Sequence, residues 1–170
     1  MNSVPKLQME AKDFAFMQGH WHGQGKVMLA DKEVLYEENL NIDLMRTEPC
    51  HMFNWQQYTK HAVNGNKMHA ENGFLKIFGN GKAQASFSHP FDLNEFEFGS
   101  VEGHQLTLEA TQDQHFQRAQ EPTEDKKAKM VTYLKRVYNR KGDTLECDTW
   151  LGVAGGEPKH HLHSVLEKKH

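Results

Sequence analysis

Apolar and polar side chains alternate along the stretch Val34-Leu35-Tyr36-Glu37-Glu38-Asn39-Leu40-Asn41-Ile42-Asp43-Leu44. Every second position except one carries Val, Tyr, Leu or Ile, and most positions between them are charged or amide. This period of two is typical of a β-strand with one buried face. The exception, Glu38, falls on the apolar side. We therefore expect its carboxylate to have a partner or to lie at the mouth of a cavity.

Further segments of the same kind follow, separated by turns that contain Gly or Asn. Asn64-Gly65 is a strong hairpin signal, Gly79-Asn80-Gly81 forms the next turn, and residues 139–143 join the last clear pair of strands. The candidate strands span residues 52–58, 68–78, 83–87, 96–98, 106–110, 130–138 and 145–153. About ten short antiparallel strands at hairpin spacing predict an all-β fold, a single closed up-and-down β-barrel of the calycin or lipocalin-like type.

Towards the N-terminus, three glycines surround a tryptophan in Gly19-His20-Trp21-His22-Gly23-Gln24-Gly25. Glycine allows neighbouring backbone to approach closely, and Trp21 is large enough to plug one end of a barrel. The polar residues 1–12 are predicted to form a loose N-terminal arm. No linker or repeat divides residues 13–170, which we expect to form one barrel domain.

Composition excludes several classes of function. The net charge is −3, and the densest basic run is Lys126-Lys127-Ala128-Lys129, so no nucleic-acid partner is expected. No segment has the length of a membrane span, and residues 1–12 lack the apolar run of a signal peptide. Cys50 and Cys147 have no metal-site spacing and are expected to be free thiols. The sequence predicts a soluble cytoplasmic protein without a membrane partner and leaves a homodimer open.

A histidine cluster lies near the C-terminus, in Pro158-Lys159-His160-His161-Leu162-His163-Ser164-Val165-Leu166-Glu167-Lys168. Imidazole is the commonest protein ligand for metals and the usual proximal ligand of haem iron. If the rest of the chain builds a hollow barrel, this segment can present an imidazole from its wall. An edge segment with solvated histidines is the commoner use of such a pattern.

Three stretches together resemble the nitrobindins, a family of haem-binding barrels of the fatty-acid-binding-protein type. Gly19-x-Trp21-x-Gly23-x-Gly25 is similar to the family's G-x-W-x-G-x-G. Met68-His69-Ala70-Glu71-Asn72-Gly73-Phe74-Leu75-Lys76 is similar to M-H-x-E-x-G-F-L-R, and residues 161–168 resemble H-L-x-A-x-L-x-R. Residues 128–132 are similar to the A-K-x-V-T that opens a late strand. Order and separation also agree, so the resemblance covers about residues 14–168.

The resemblance implies a ten-stranded barrel that holds haem b near its open end, binds nitric oxide and isomerises peroxynitrite to nitrate. Carried over by position, His161 is the proximal ligand of the iron, Met68 and His69 line the pocket, and Lys129 meets a haem propionate. One stretch departs from the family. Where nitrobindins carry Y-P-T-I, this chain has Lys26-Val27-Met28-Leu29-Ala30-Asp31-Lys32, without Pro or Thr.

Strand alternation adds expectations for the pocket. Neighbours on a strand face opposite ways, so we expect His69 to point inwards and Met68 to lie at the edge, with Glu71 close enough to orient the imidazole. In a regular strand His161 and His163 share one face, while His160 faces away with Leu162 and Leu166. An inward His161 therefore needs local bending, which Gly155-Gly156 and Pro158 can supply.

Two other functions fit the same sequence. The first is a non-catalytic carrier of a small apolar ligand, such as a fatty acid or tetrapyrrole, in the barrel cavity. The second, weaker, is zinc binding through the twelve histidines, of which only His20/His22 and His160/His161/His163 cluster along the chain.

Overall fold

The computed structural model describes residues 13–170. The arm expected over residues 1–12 lies outside them, so that domain boundary stays a prediction. Among residues 13–170, no helix is both long and apolar enough to cross a membrane. Cys50 and Cys147 are both buried and free.

The alternating segments form antiparallel strands, as the sequence predicts. The strands are β1 Gly19–Leu29, β2 Lys32–Arg46, β3 His51–His61, β4 Lys67–Ile77, β5 Lys82–His89, β6 Leu93–Glu102, β7 Gln105–Ala110, β8 Phe116–Arg118, β9 Val131–Lys141, β10 Thr144–Val153 and β11 Lys159–Lys168. The helical elements are a 3-10 turn at Asp113–His115 and one turn of α-helix, α1, at Glu124–Lys127.

The strands pair in the order β5-β4-β3-β2-β1-β11-β10-β9-β7-β6-β8, and β5 also pairs with β6. That last pairing closes the sheet. Ten long strands thus form the closed antiparallel barrel that the sequence predicts, and the short β8 extends the β6 edge next to β7. Because the sheet is closed and successive side chains on a strand point to opposite faces, every second side chain points into the barrel.

One end of the barrel is closed by the segment before β1. Phe16 and Met17 are fully buried, and the Trp21 indole Nε1 donates a hydrogen bond to the Met17 carbonyl oxygen at 3.0 Å. The Arg140 guanidinium lies 5.4 Å from the Trp21 ring centroid and donates a 2.6 Å hydrogen bond to the carbonyl of Phe16. Trp21 therefore plugs this end.

Alternation in β2 gives the inward face expected from the sequence. Tyr36, Glu38, Leu40 and Ile42 are all buried, and the Glu38 carboxylate accepts a hydrogen bond from the Gln57 side-chain amide. Gly25 makes room for this face, since a Cβ there would lie 2.3 Å from the Tyr36 ring. The expectation that Glu38 has a partner is therefore met, and the barrel interior is polar as well as apolar.

Candidate functional site

The open end of the barrel leads into a cavity of about 490 Å³, within the range of small-molecule sites. Its mouth lies at the end of β1 and the starts of β4, β9 and β11. The apolar part of the lining consists of Val27, Leu29, Met68, Phe91, Leu93, Val131, Leu134, Leu151 and Leu162. Such a lining suits a flat apolar ligand, because contact with these side chains removes apolar surface from water.

A buried ionic network forms the base of the cavity. The Arg136 guanidinium on β9 binds Glu71 through two hydrogen bonds, at 2.6 Å from Nη1 and 2.9 Å from Nη2. Nη2 also lies 3.2 Å from Glu95 Oε2 and 3.0 Å from Glu97 Oε1, both on β6. The Trp55 indole donates a 3.0 Å hydrogen bond to Glu71. Both terminal nitrogens of the guanidinium thus contact carboxylates, while its Nε has no hydrogen-bond partner among residues 13–170.

The network gives its carboxyl groups different pKa values. Burial alone raises the pKa of Glu71, but the charge of Arg136 and hydrogen bonds from His69 and Arg136 outweigh it and hold that pKa well below its usual range. For Glu97, burial is the stronger effect and raises the pKa to about 8 despite Arg136. Glu71 is therefore ionised at neutral pH, and Glu97 keeps its proton.

His161 lies in a β-bulge. Between β10 and β11, Thr149 pairs with Leu162 and Trp150 pairs with His160, so His161 is an extra residue without a partner on β10. A bulge of this kind redirects a side chain. The His161 ring, which a regular strand would send to the outer face with His163, contributes to the lining of the cavity. The bending that the sequence analysis requires is thus present at His161 itself.

The neighbouring histidines are held outside the cavity lining. His160 Nε2 lies 2.8 Å and His163 Nδ1 lies 2.9 Å from the same oxygen of Asp148 on β10. The His160 ring also packs edge-on against Trp150. The expectation that His163 shares a face with His161 is therefore wrong, as is the grouping of His160 with Leu162 and Leu166, because the bulge shifts the alternation by one residue.

The electrostatic surroundings of His161 favour neutral imidazole. Its burial lowers the pKa, and the nearby rings of His160 and His69 lower it further when they carry charge. Only the neutral ring has a free nitrogen lone pair for a metal. Among residues 13–170, no side-chain hydrogen bond engages His161, in contrast to the bonds that hold His160 and His163.

Met68 and His69 both contribute to the lining, although they are neighbours on β4. The register between β3 and β4 shifts between Tyr58 and Lys60, opposite this point, and the His69 backbone N–H bonds the Thr59 hydroxyl. His69 shares the inward face with Glu71, and its Nε2 lies 3.4 Å from Glu71 Oε2. Met68, at the start of β4, is partly buried, and its expected place at the edge stays a prediction.

Lys129 is exposed and lies two residues before β9, outside the lining of the cavity. Its contact with a haem propionate stays a prediction. The stretch that departs from the family pattern forms the end of β1 and the turn into β2. It contributes Val27 and Leu29 to the mouth. The contribution of this stretch to the cavity is therefore apolar.

The sequence analysis missed four residues of the cavity base: His89, Glu95, Glu97 and Arg136. On β6 the pattern is misleading, because Phe96 and Phe98 are the apolar members and yet the buried face carries Glu95 and Glu97. Phe98 is 45% exposed. Only Arg136, placed between Leu134 and Tyr138 on an alternating strand, gives a signal that could have been found.

Comparison with known proteins agrees with this geometry. The family model of the THAP4-like, haem-binding β-barrel domain matches residues 10–168. The chain belongs to this family. The resemblance to nitrobindins drawn from three short motifs is confirmed, and haem is the cofactor that the THAP4-like family description names.

Named relatives of this THAP4-like chain are mycobacterial. Peroxynitrite isomerase 2 of Mycobacterium bovis BCG and peroxynitrite isomerase 1 of Mycobacterium tuberculosis H37Rv are each 30% identical over 117 residues, which is 68% of this chain and 69% of each relative. The crystal structure of Rv2717c from M. tuberculosis superposes with a TM-score of 0.74 at 26% identity, covering 92% of this chain and 94% of that one.

The residues present fit a haem. A neutral imidazole without a hydrogen-bond partner in the described chain borders the cavity, and the mouth beside it is apolar. These are the two features that a five-coordinate haem site needs from a protein, a nitrogen ligand on one side and a water-poor surface on the other.

Proposed function

We propose that this protein binds haem b through His161 and isomerises peroxynitrite to nitrate. The observation that carries the proposal is the β-bulge, which turns His161 alone of three clustered histidines into the cavity lining. Membership of a haem-binding family and similarity to proteins named peroxynitrite isomerases support it. When bound, haem supplies an iron with one open coordination position, at which a small nitrogen oxide can react.

The role of His161 is to hold this cofactor in place. Its neighbour Leu162 pairs with Val27 on β1 and Thr149 on β10, which fixes the adjacent imidazole on the wall of the barrel. His160 and His163 each contact Asp148 through one ring nitrogen and do not contribute to the cavity lining, so neither is placed to compete for the same metal. Met68 and the apolar mouth keep water away from the ligand.

His69 is placed to act on a proton in the cavity. Its ring lies at the mouth and is 39% exposed, while Glu71 beneath it is fully buried and ionised. A carboxylate in this position orients an imidazole. Isomerisation breaks the O–O bond of peroxynitrite and forms an N–O bond without net loss of atoms or electrons. It therefore needs a held substrate and no further reactant.

The cavity is less suited to the alternative role of a fatty-acid carrier. A carrier of this kind holds the acid's carboxylate with a buried cation. Arg136 already binds the ionised carboxylates of Glu71 and Glu95, so a further carboxylate would be repelled by both. A tetrapyrrole seated at the apolar mouth does not face this cost.

The same proposal extends to a small ligand of the haem, the location of the protein and its assembly. Nitric oxide is a small ligand that the open position on a ferric haem would accept. The proposed location is the cytoplasm. A homodimer is the assembly left open by the sequence, and its test is the mass of the protein in solution.

Stopped-flow measurement of peroxynitrite decay tests the activity. The hemin-loaded protein should accelerate decay in proportion to its concentration and shift the product from nitrite towards nitrate. The protein without hemin, and the His161→Ala variant mixed with hemin, should not exceed free hemin. Equal acceleration by wild type and His161→Ala, or an unchanged ratio of nitrate to nitrite, would refute the proposal.

A further inference from the structure

A second group of nitrogen and oxygen donors, distinct from His161, runs from the mouth of the cavity to its base. It consists of His69 and Glu71 on β4 and His89 at the end of β5. His69 Nε2 lies 3.4 Å and His89 Nδ1 lies 3.9 Å from the same oxygen, Glu71 Oε2. One donor atom from each residue lies within 4.8 Å of the others.

These separations are close to those of a coordination sphere. Zinc binds imidazole nitrogen and carboxylate oxygen at about 2.1 Å in tetrahedral geometry, which places two ligand atoms roughly 3.4 Å apart. The His69–Glu71 pair already has this spacing, and the Glu71–His89 pair needs about half an ångström of movement. Rotation about side-chain bonds supplies that without a change of backbone.

The surrounding residues hold these donors in orientation. Glu71 is fixed by Trp55 and Arg136, which leaves a lone pair of Oε2 free towards the two histidines. His89 directs Nδ1 to Glu71 and presents Nε2 to Glu95 Oε2 at 3.0 Å. A carboxylate behind the second nitrogen of a metal-binding histidine is the usual arrangement in metalloproteins.

Burial and charge also favour a cation here. The side chains of Glu71 and His89 are 0% and 5% exposed, and the carboxylates of Glu71 and Glu95 share the guanidinium of Arg136. Buried carboxylates in excess of their cations are costly. The remaining donor, His69, is half-exposed at the mouth, so an ion can enter and keep open positions towards the cavity.

We propose that His69, Glu71 and His89 form a binding site for one divalent transition-metal ion of the zinc class. Two imidazoles with one carboxylate and open positions are the donor set of zinc and non-haem iron(II) sites. The proposal goes beyond haem binding, since the ion would be held by other side chains in the same cavity. The sequence alone does not indicate this group of three metal ligands, because His89 is 18 residues or more from the other two donors.

Cobalt(II) titration of the protein without hemin tests the site, and its outcome does not depend on haem binding. One equivalent of Co²⁺ should give a visible d–d absorption band, and Zn²⁺ should displace it. His89→Gln should weaken Co²⁺ binding by at least about a hundredfold, beyond the 10–100-fold typical of a lost outer-shell partner. His69→Gln should do the same, and because this side chain is half-exposed the variant will fold even if His89→Gln does not.

The matched control is His160→Ala with His163→Ala, which removes the two histidines that share Asp148 on the outside. This variant should keep the band and its affinity. The proposal fails if wild type gives no band, if the band persists unchanged in His69→Gln or His89→Gln, or if it is lost in the outer control.

Discussion

His161 differs from its neighbours in what its ring contacts. His160 and His163 both meet Asp148, while the unpaired position of His161 on β11 turns its ring to the cavity. The residue types alone could not distinguish the three, because regular alternation gives His161 and His163 the same face. The family motif singled out the histidine before Leu162, and the bulge supplies the physical reason.

Glu97 gives the barrel a stability that depends on pH. Its pKa is raised from 4.5 to about 8 by burial, so the folded protein holds a proton that the unfolded chain releases between these values. This contribution is full below pH 4.5 and is lost as pH rises towards 8. The Glu97→Gln side chain cannot ionise. Relative to wild type, the free energy of unfolding of this variant should therefore rise by up to about 1.4 kcal/mol for each pH unit between 4.5 and 8.

Urea unfolding at several pH values measures that difference, and Glu95→Gln is the matched control. Glu95 lies on the same strand and contacts the same guanidinium, but the pKa of Glu95 is lowered, because hydrogen bonding from His89 and the charge of Arg136 outweigh burial. Glu95→Gln should therefore lose stability relative to wild type above pH 4.5. A pH-independent difference for Glu97→Gln would show that Glu97 is ionised in the folded state.

At the scale of elements, β4 brings most of the site together. His69, Glu71, Gly73 and Leu75 share its inward face, and alternation alone was enough to expect His69 there with Glu71 beside it. It could not find their partners, since Arg136 is 65 residues from Glu71 along the chain. On β6, alternation of Phe and Glu predicts a buried phenylalanine face, yet the pull of the Arg136 charge places the carboxylates inside.

Gly73 lets β4 and β5 approach each other. A Cβ at this position would lie 1.9 Å from the Ser86 carbonyl oxygen, which is backbone and cannot yield. Gly73→Ala should therefore destabilise the barrel by about 1–3 kcal/mol, the usual cost of overpacking. Gly79→Ala is the control, because nothing lies within 4 Å of a Cβ there and it should be close to neutral. Thermal or urea unfolding of both variants checks the contrast, and equal stabilities would contradict it.

At the scale of the whole molecule, the sequence was sufficient for the fold. Period-two alternation with Gly and Asn turns specified ten antiparallel strands, and Trp21 with its glycines specified the closed end. The interior ionic network was not predictable, because buried carboxylates are tolerated only when a distant cation reaches them. Its presence divides the cavity into an apolar mouth beside His161 and a charged base around Glu71.

Hemin titration followed by absorption tests the central claim most directly, namely that the bulge makes His161 the haem ligand. Wild type should give a sharp Soret band of five-coordinate haem, which shifts when nitric oxide is added. His161→Ala should lose this band and weaken hemin binding by at least about tenfold, or about 1.4 kcal/mol. His160→Ala and His163→Ala should bind hemin as wild type does. Unchanged hemin affinity in His161→Ala, or loss of binding in either neighbour instead, would contradict the account.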